Sequence, residues 1–180
     1  MEIEHFSIPT IALIKPTVFE DSRGYFFESY SKKKFIEAGI HDDFVQSNQS
    51  LSQKGVLRGL HFQIPPFAQS KLVRVIKGSV LDVAVDIRKN SPTYGEHVSL
   101  LLSEKNKYML YIPEGFAHGF LTLENETIFS YKCGNAYNKE AERGIIWNDK
   151  QLKIDWNISK PILSSKDELN VSFNDFETPF

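Results

Sequence analysis

Apolar and polar residues alternate through the middle of the chain. The pattern is cleanest over Ser79-Val-Leu-Asp-Val-Ala-Val-Asp-Ile87, where Leu81, Val83, Val85 and Ile87 share one face and Asp82, Ala84 and Asp86 the other. A two-residue period of this kind predicts a strand half-buried in a sheet. Shorter runs of the same character lie at Ile11–Ile14, Tyr25–Tyr30, Lys71–Ile76, His97–Leu102, Tyr108–Ile112, Gly119–Leu123 and Thr127–Lys132. Turn-forming residues separate them at Lys77-Gly78, Asn90-Ser-Pro92, Pro113-Glu-Gly115 and Glu124-Asn125, as hairpin and loop chemistry requires. Many short strands punctuated at this spacing predict an all-β sandwich or small barrel. One helix is expected over Lys32–Ala38, capped by Ser31 and stopped at Gly39. Both periods fade after about Leu163, so the expectation is a single domain over residues 1–180 with a less regular C-terminal segment.

Composition narrows the class. A chain of 180 residues with 41% hydrophobic and 24% charged residues has a globular composition, and a chain of this length buries roughly 70% of its unfolded surface without staples. Lys and Arg number 21 against 23 Asp and Glu, a formal charge of −2. That balance supplies no polybasic surface, so neither nucleic acid nor a membrane is an expected partner, and any anion site must be local. The opening MEIEHFSIPT has neither a basic start nor an apolar core, and no run approaches the ~18 apolar residues of a membrane span. The single cysteine, Cys133, cannot form an intramolecular disulfide or a cysteine-based zinc site, which predicts a reducing, cytoplasmic setting. Aromatic residues make up 13% of the chain, more than its core needs, which leaves some for chemistry.

Two segments concentrate groups able to do chemistry. Gly55-Val-Leu-Arg-Gly-Leu-His-Phe-Gln-Ile-Pro-Pro66, followed by Gln69-Ser-Lys71, sets an arginine, a histidine and a lysine close together, a base and two cations suited to an anion. A lone histidine in a strand is more often structural than catalytic. On a regular strand Arg58 and His61 would point to opposite faces, so a shared site requires a bulge or bend, which Gly59 between them permits. The second segment is Tyr111-Ile-Pro-Glu-Gly-Phe-Ala-His-Gly-Phe120, with His118 just beyond a Pro-x-Gly turn. It resembles the second half of the cupin signature, which implies a double-stranded jelly-roll barrel with a few short helices. Metal-binding cupins carry two histidines one residue apart where this chain reads His61-Phe62-Gln63. An amide is a weak ligand and no carboxylate partner is evident, so no metal is expected.

The resemblance sharpens with further motifs. Asp21-Ser-Arg-Gly-Tyr-Phe-Phe-Glu28, Gln46-Ser-Asn-Gln-Ser50, Gly55–Gln63, Lys71-Leu-Val, Asp82-Val-Ala-Val-Asp-Ile-Arg88 with Ser91-Pro-Thr93, Ile112–Phe120 and Trp147-Asn-Asp149 stand in order between about Phe6 and about Glu168. Together they resemble the dTDP-4-dehydrorhamnose 3,5-epimerase family. That resemblance implies inversion of the two carbons flanking the C4 ketone of dTDP-4-dehydro-6-deoxy-glucose, without a cofactor, on the way to dTDP-L-rhamnose. It also implies a homodimer, in which the Arg23–Glu28 strand reaches the neighbouring subunit's pocket.

The chemistry explains the residue types. A proton next to a ketone lies about 12 pKa units above an imidazole's, so unaided transfer is uphill by ~16 kcal/mol, and the developing enolate must be stabilised electrostatically. By resemblance His61 is the base, Asp167 its carboxylate partner, Lys71 the cation near the C4 oxygen and Tyr131 the acid on the opposite face. Tyr137 resembles the residue that stacks on thymine. Arg23 and Arg58 match diphosphate contacts, Glu28, Gln46 and Asn48 match nucleotide contacts, and Glu142, Lys166 and His118 match further ligand contacts. The loops Ile64–Ala68 and Asn138–Arg143 depart from the family pattern. Three alternatives stand beside this reading: a 3-epimerase for another deoxysugar, a metal-dependent cupin enzyme disfavoured by Gln63, and an inactive sugar-nucleotide-binding cupin disfavoured by the joint presence of His61, Lys71, Tyr131 and Asp167.

Overall fold

A computed structural model describes residues 1–180 and is built almost wholly of antiparallel strands. One sheet runs, in spatial order, β1 (Glu2–His5), β2 (Ala12–Lys15), β10 (Met109–Ile112), β7 (Lys71–Lys77), β12 (Thr127–Cys133) and β5 (Gln46–Ser52). The second runs β13 (Glu142–Gly144), β6 (Leu57–Gln63), β11 (Phe116–Thr122), β8 (Ser79–Asp86) and β9 (His97–Ser103). A hairpin, β3 (Val18–Asp21) with β4 (Gly24–Phe27), forms a separate two-stranded sheet. Two short helices, α1 (Lys32–Glu37) and α2 (Ser165–Glu168), complete the expected all-β jelly-roll barrel with few helical residues. No helix is long and apolar enough to cross a membrane.

Alternation decides what fills each layer. Val73, Val75, Leu110, Ile112 and Phe129 of the first sheet meet Val80, Ala84, Val98, Leu102, Phe116 and Phe120 of the second in the barrel core. The opposite positions of the second sheet, among them Leu60, Phe62, Val83, Val85 and Leu121, form another cluster beneath Leu152, Trp156 and Phe173. The first sheet's outer face is covered in part by Phe35 of α1 and by Ile40.

This two-sided cover corrects the half-buried reading of residues 79–87. Asp82 and Asp86 are both fully buried, because the polar face of β8 turns into the barrel and not toward water. Each carboxylate has its own partners, as burial demands. Asp86 accepts hydrogen bonds from the Arg88 backbone, Nε and Nη2 at 3.0, 2.9 and 2.6 Å, from Ser91 Oγ at 2.6 Å and from Thr93 Oγ1 at 2.7 Å. Burial pushes this carboxyl up, but those donors outweigh it and hold it at about 2.

Other boundaries shift for physical reasons. The strand expected from Gly119 starts at Phe116, and the one expected from Tyr25 to Tyr30 ends at Phe27. Ser31 occupies the start of α1, but its side chain makes no capping bond. Strands β1, β3, β5 and β13 carry too little apolar alternation to be foreseen. In β5 the reason is functional geometry, since its inward positions Gln46 and Asn48 line a cavity and need not be apolar. Beyond Leu163 the chain forms α2 and a 3-10 turn at Phe173–Asp175, and Phe173, Phe176 and Phe180 pack onto the outer cluster.

Strand β6 contains the bend that a shared site requires. Arg58 pairs with Phe120 and His61 with His118, so three steps along β6 match two along β11. Such a bulge restores the phase, putting Arg58 and His61 on the same inner face. Gly59 has φ +124°, and a Cβ there would lie 2.5 Å from Gly119 Cα and 2.7 Å from the His118 carbonyl oxygen. Only glycine fits both the angle and the approach.

Two stability predictions follow from these contacts. Gly59→Ala combines a strained φ with a backbone clash and is expected to cost about 3 kcal/mol or more; a urea midpoint unchanged from the parent would contradict it. For Asp86 the folded value of about 2 lies below an unfolded value of 3.8, so its contribution, roughly 2–3 kcal/mol, is present above about pH 4 and lost as pH falls through about 2. Asp86→Asn should therefore be less stable at pH 7, with the gap closing in acid, as urea titrations across pH will read.

Candidate active site

The barrel's inner face changes character along its strands. In β7 the inward residues run from Val75 through Val73 to Lys71, and in β12 from Phe129 to Tyr131. His61 and Gln63 of β6, with Gln46 and Asn48 of β5, complete a polar cavity of about 300 Å³ at that end. Tyr137 and Glu142 form its outer wall. Seven of the residues singled out in the sequence thus meet around one space: Gln46, Asn48, His61, Lys71, Tyr131, Tyr137 and Glu142.

His61 is joined to a carboxylate. Its Nε2 lies 2.5 Å from Asp167 Oδ1, and Asp167 is 2% exposed. With Nε2–H donating to Asp167, Nδ1 is the nitrogen left to hold a lone pair. Ser164 Oγ donates to Asp167 Oδ2 at 2.7 Å. Burial pushes Asp167 up, yet the bonds from His61 and Ser164 prevail and hold it below the usual carboxylate range.

The facing sheet supplies the other polar groups. Lys71 Nζ donates to the His61 carbonyl oxygen at 3.3 Å. Burial lowers its pKa, against the opposing pull of Cys133, Asp82 and Glu142. Tyr131 projects from β12, and burial raises its phenol, so the group stays protonated across the neutral range. Arg58 is exposed and donates to Ser52 Oγ at 3.2 Å, and its positive charge partly offsets the rise at Tyr131.

The cavity mouth is tied together by hydrogen bonds. Tyr137 donates its hydroxyl to Glu142 at 2.6 Å and its backbone N–H to Gln46 at 2.8 Å. Its ring remains 54% exposed, leaving an aromatic face free. Glu142 also pairs with Lys166. Gln46 in turn donates to Asn48 at 3.0 Å.

His118 lies deeper than the cavity wall, 7% exposed. Its Nε2 stands 3.0 Å from both oxygens of Asp82, and burial lowers it against the pull of that carboxylate. Arg23 and Glu28 are not brought to the cavity within this chain. Arg23 sits on the β3–β4 hairpin with its side chain 88% exposed, bound to Asp21, and Glu28 pairs with Lys34 at 2.8 Å.

Some participants escaped sequence reasoning. Gln63 is a wall builder, donating to the Phe67 and Ala136 carbonyls at 2.6 and 3.2 Å and accepting from Asn138 N–H at 2.8 Å. Its amide is fully engaged, and each neighbouring histidine already holds a carboxylate through Nε2. No set of three His, Cys, Asp or Glu side chains converges as metal ligands. Gln69, another cavity residue, is fixed by the Asn135 carbonyl at 2.7 Å. Asp82, taken for a solvent-facing position in the alternation of β8, is instead buried against His118. Ser164 carried no signal before its contact with Asp167 was visible.

Comparison with known proteins adds an independent line. Residues 5–175 match the family model described as dTDP-4-dehydrorhamnose 3,5-epimerase. The dTDP-4-dehydrorhamnose 3,5-epimerase of Shigella flexneri is 54% identical over 168 residues, covering 93% of each chain. The crystal structure of dTDP-6-deoxy-D-glucose-3,5-epimerase from Legionella pneumophila, in complex with dTDP-4-keto-L-rhamnose, superposes with a TM-score of 0.94. It is 46% identical and covers 98% of this chain and 94% of that one. A 3'-monoepimerase from Streptomyces bikiniensis in complex with dTDP-quinovose is similar at 29% identity and a TM-score of 0.88, covering 93% of this chain and 86% of its own. With a family model over residues 5–175 and relatives near half identity over almost the whole chain, the chain belongs to the dTDP-4-dehydrorhamnose 3,5-epimerase family.

Proposed function

We propose that the chain epimerises C3 and C5 of dTDP-4-dehydro-6-deoxy-glucose to dTDP-4-dehydro-L-rhamnose, with its own side chains doing the proton chemistry. The observation that carries this reading is a carboxylate-held imidazole on one sheet, with an ammonium and a phenol on the other, around one cavity. An inversion needs a base on one face of the carbon and an acid on the other, and two facing sheets supply both.

His61 Nδ1 takes the proton from the carbon beside the ketone, and the C–H electron pair moves into an enolate whose charge rests on the C4 oxygen. Lys71 stabilises that charge as it forms, the electrostatic assistance that removal of a proton from carbon requires. Asp167 stabilises the imidazolium. Tyr131 then delivers a proton to the opposite face; a phenol is far more acidic than the carbon, so delivery is downhill. Once the imidazolium has released its proton to water and the Tyr131 phenolate has regained one from it, the same sequence at the second carbon completes the double inversion. Tyr137 offers its exposed ring to thymine, a contact worth roughly 1–3 kcal/mol. Arg58, Lys166, Glu142, Gln46, Asn48 and His118 serve the remainder of the nucleotide sugar.

Relatives near half identity are named 3,5-epimerases, whereas the 3'-monoepimerase stands at 29%, which favours inversion at both carbons. A homodimer fits the β3–β4 hairpin, whose Phe19 and Phe26 are 63% and 68% exposed; docked on a second copy, it would bury them and carry Arg23 and Glu28 to the partner's cavity. Sedimentation should then give twice the chain mass, and a monomer at working concentration would remove this part of the reading. A reducing, cytoplasmic setting suits the single buried thiol of Cys133.

Turnover of dTDP-4-dehydro-6-deoxy-glucose in heavy water tests the reaction. Deuterium is expected at both C3 and C5; label at C3 alone would demote the double inversion, and none would sink the epimerase reading. His61→Ala should lose about 10³-fold or more in exchange at both carbons, and full exchange would remove it from the base role. Tyr131→Phe should keep the first deprotonation while suppressing inverted product, and an unchanged epimer yield would contradict its role as acid.

A further inference from the structure

The C-terminal segment contains the same short arrangement twice. In Ser164-Ser-Lys-Asp167, Ser164 Oγ donates to Asp167 Oδ2 at 2.7 Å and accepts the Asp167 backbone N–H at 3.2 Å. In Ser172-Phe-Asn-Asp175, Ser172 Oγ donates to Asp175 Oδ2 at 2.7 Å and accepts the Asp175 N–H at 3.3 Å. Locally the two are interchangeable serine caps, each closing one turn. Their surroundings differ. Asp175 is exposed and has no histidine against it, whereas Asp167 is 2% exposed with its other oxygen 2.5 Å from His61.

We propose that Ser164 is a positioning residue for the proton transfer, holding the carboxylate oxygen that His61 does not use and so fixing the plane in which Asp167 meets the imidazole. The proposal rests on the epimerase reading above and adds a residue to it. A carboxylate bound through one oxygen can turn about its Cβ–Cγ bond. With the second oxygen held by a hydroxyl that is itself anchored on the Asp167 N–H, that rotation is closed. Geometry of this kind matters most in the transition state, when His61 gains a proton and its bond to Asp167 becomes charge-assisted. Loss of the hydroxyl should therefore fall on turnover and spare substrate binding, because Ser164 does not line the cavity.

The experiment compares Ser164→Ala, Ser164→Gly, Ser164→Thr and Ser172→Ala with the parent and with His61→Ala, following deuterium uptake and product formation from dTDP-4-dehydro-6-deoxy-glucose. Glycine is tolerated at a cap almost as well as serine, so Ser164→Gly reads the hydroxyl even if the alanine variant folds poorly. Both hydroxyl-free variants should lose about 10-fold or more in kcat, the scale of one hydrogen bond to a charged group, with KM held within about two-fold. Ser164→Thr, which restores the hydroxyl, should regain most of the rate, and Ser172→Ala, which loses an equivalent cap, should match the parent. Equal kcat for Ser164→Gly and Ser172→Ala, or no rescue by threonine, would overturn the proposal. If His61→Ala is inactive while Ser164→Gly is fully active, only the role of Ser164 falls; if His61→Ala exchanges normally, the base assignment itself falls.

Discussion

A carboxylate with 2% exposure stands against an imidazole from a strand 106 residues away in sequence, and much of the molecule serves to make that contact tolerable. Removing a charge from water costs several kcal/mol unless partners replace the lost hydration. Asp167 has three: the His61 Nε2–H, the Ser164 hydroxyl and the backbone of Gly59. The Ser164 bond explains why chain outside the barrel matters to a cavity inside it. Trp156, Phe173 and Phe176 seat the C-terminal segment on the outer cluster, and the β6 bulge turns His61 inward while leaving Gly59 beside Asp167. The apolar cover and the glycine contact are thus preconditions of the polar pair.

The titratable groups of the site occupy three different environments, and their shifts follow. Asp167 is held down by donors, Tyr131 is raised by burial, and Lys71 is lowered by burial. A carboxylate that stays ionised, a phenol that keeps its proton and a poorly hydrated ammonium form a coherent set for moving protons around an enolate. Separation of such values by environment is what allows unlike roles within one small space. Asp82 and His118 form a second buried pair behind the first, so the floor of the site is polar and satisfied, which keeps the cavity wall from collapsing around an orphaned charge.

Alternation alone reached an all-β sandwich or barrel, because a two-residue period with frequent turn signals has few other outcomes, and the jelly-roll form came from the cupin resemblance. Alternation misjudged β8, where Asp82 and Asp86 look solvent-facing until both sheet faces are known to be covered. It missed β5, whose inward Gln46 and Asn48 are polar for the sake of the cavity. Pattern in one strand reports polarity, whereas facing direction depends on what the rest of the chain lays over it. The need for a bulge between Arg58 and His61 was legible, since the chemistry required one face and the period forbade it. Asp167 and Lys166 rested on resemblance, and Ser164 on contact alone, because a one-turn helix leaves no periodic trace. Arg23 and Glu28 came from the same resemblance, and within this chain they are held away from the cavity by their pairs with Asp21 and Lys34.

The proposed mechanism also constrains how one base can serve two carbons. C3 and C5 flank the C4 ketone, so a single Nδ1 and a single phenol reach both only if the sugar reorients between the two steps while its C4 oxygen stays near Lys71. A cavity of about 300 Å³ lies at the small end of ligand sites, and on the proposed reaction it takes the sugar ring and leaves the nucleotide to the exposed Tyr137. Holding the nucleotide there retains the substrate without gripping the ring, and freedom of the ring is what a double inversion needs. On the proposed mechanism the difference between one inversion and two lies in how far the ring can turn, and not in the base or the acid.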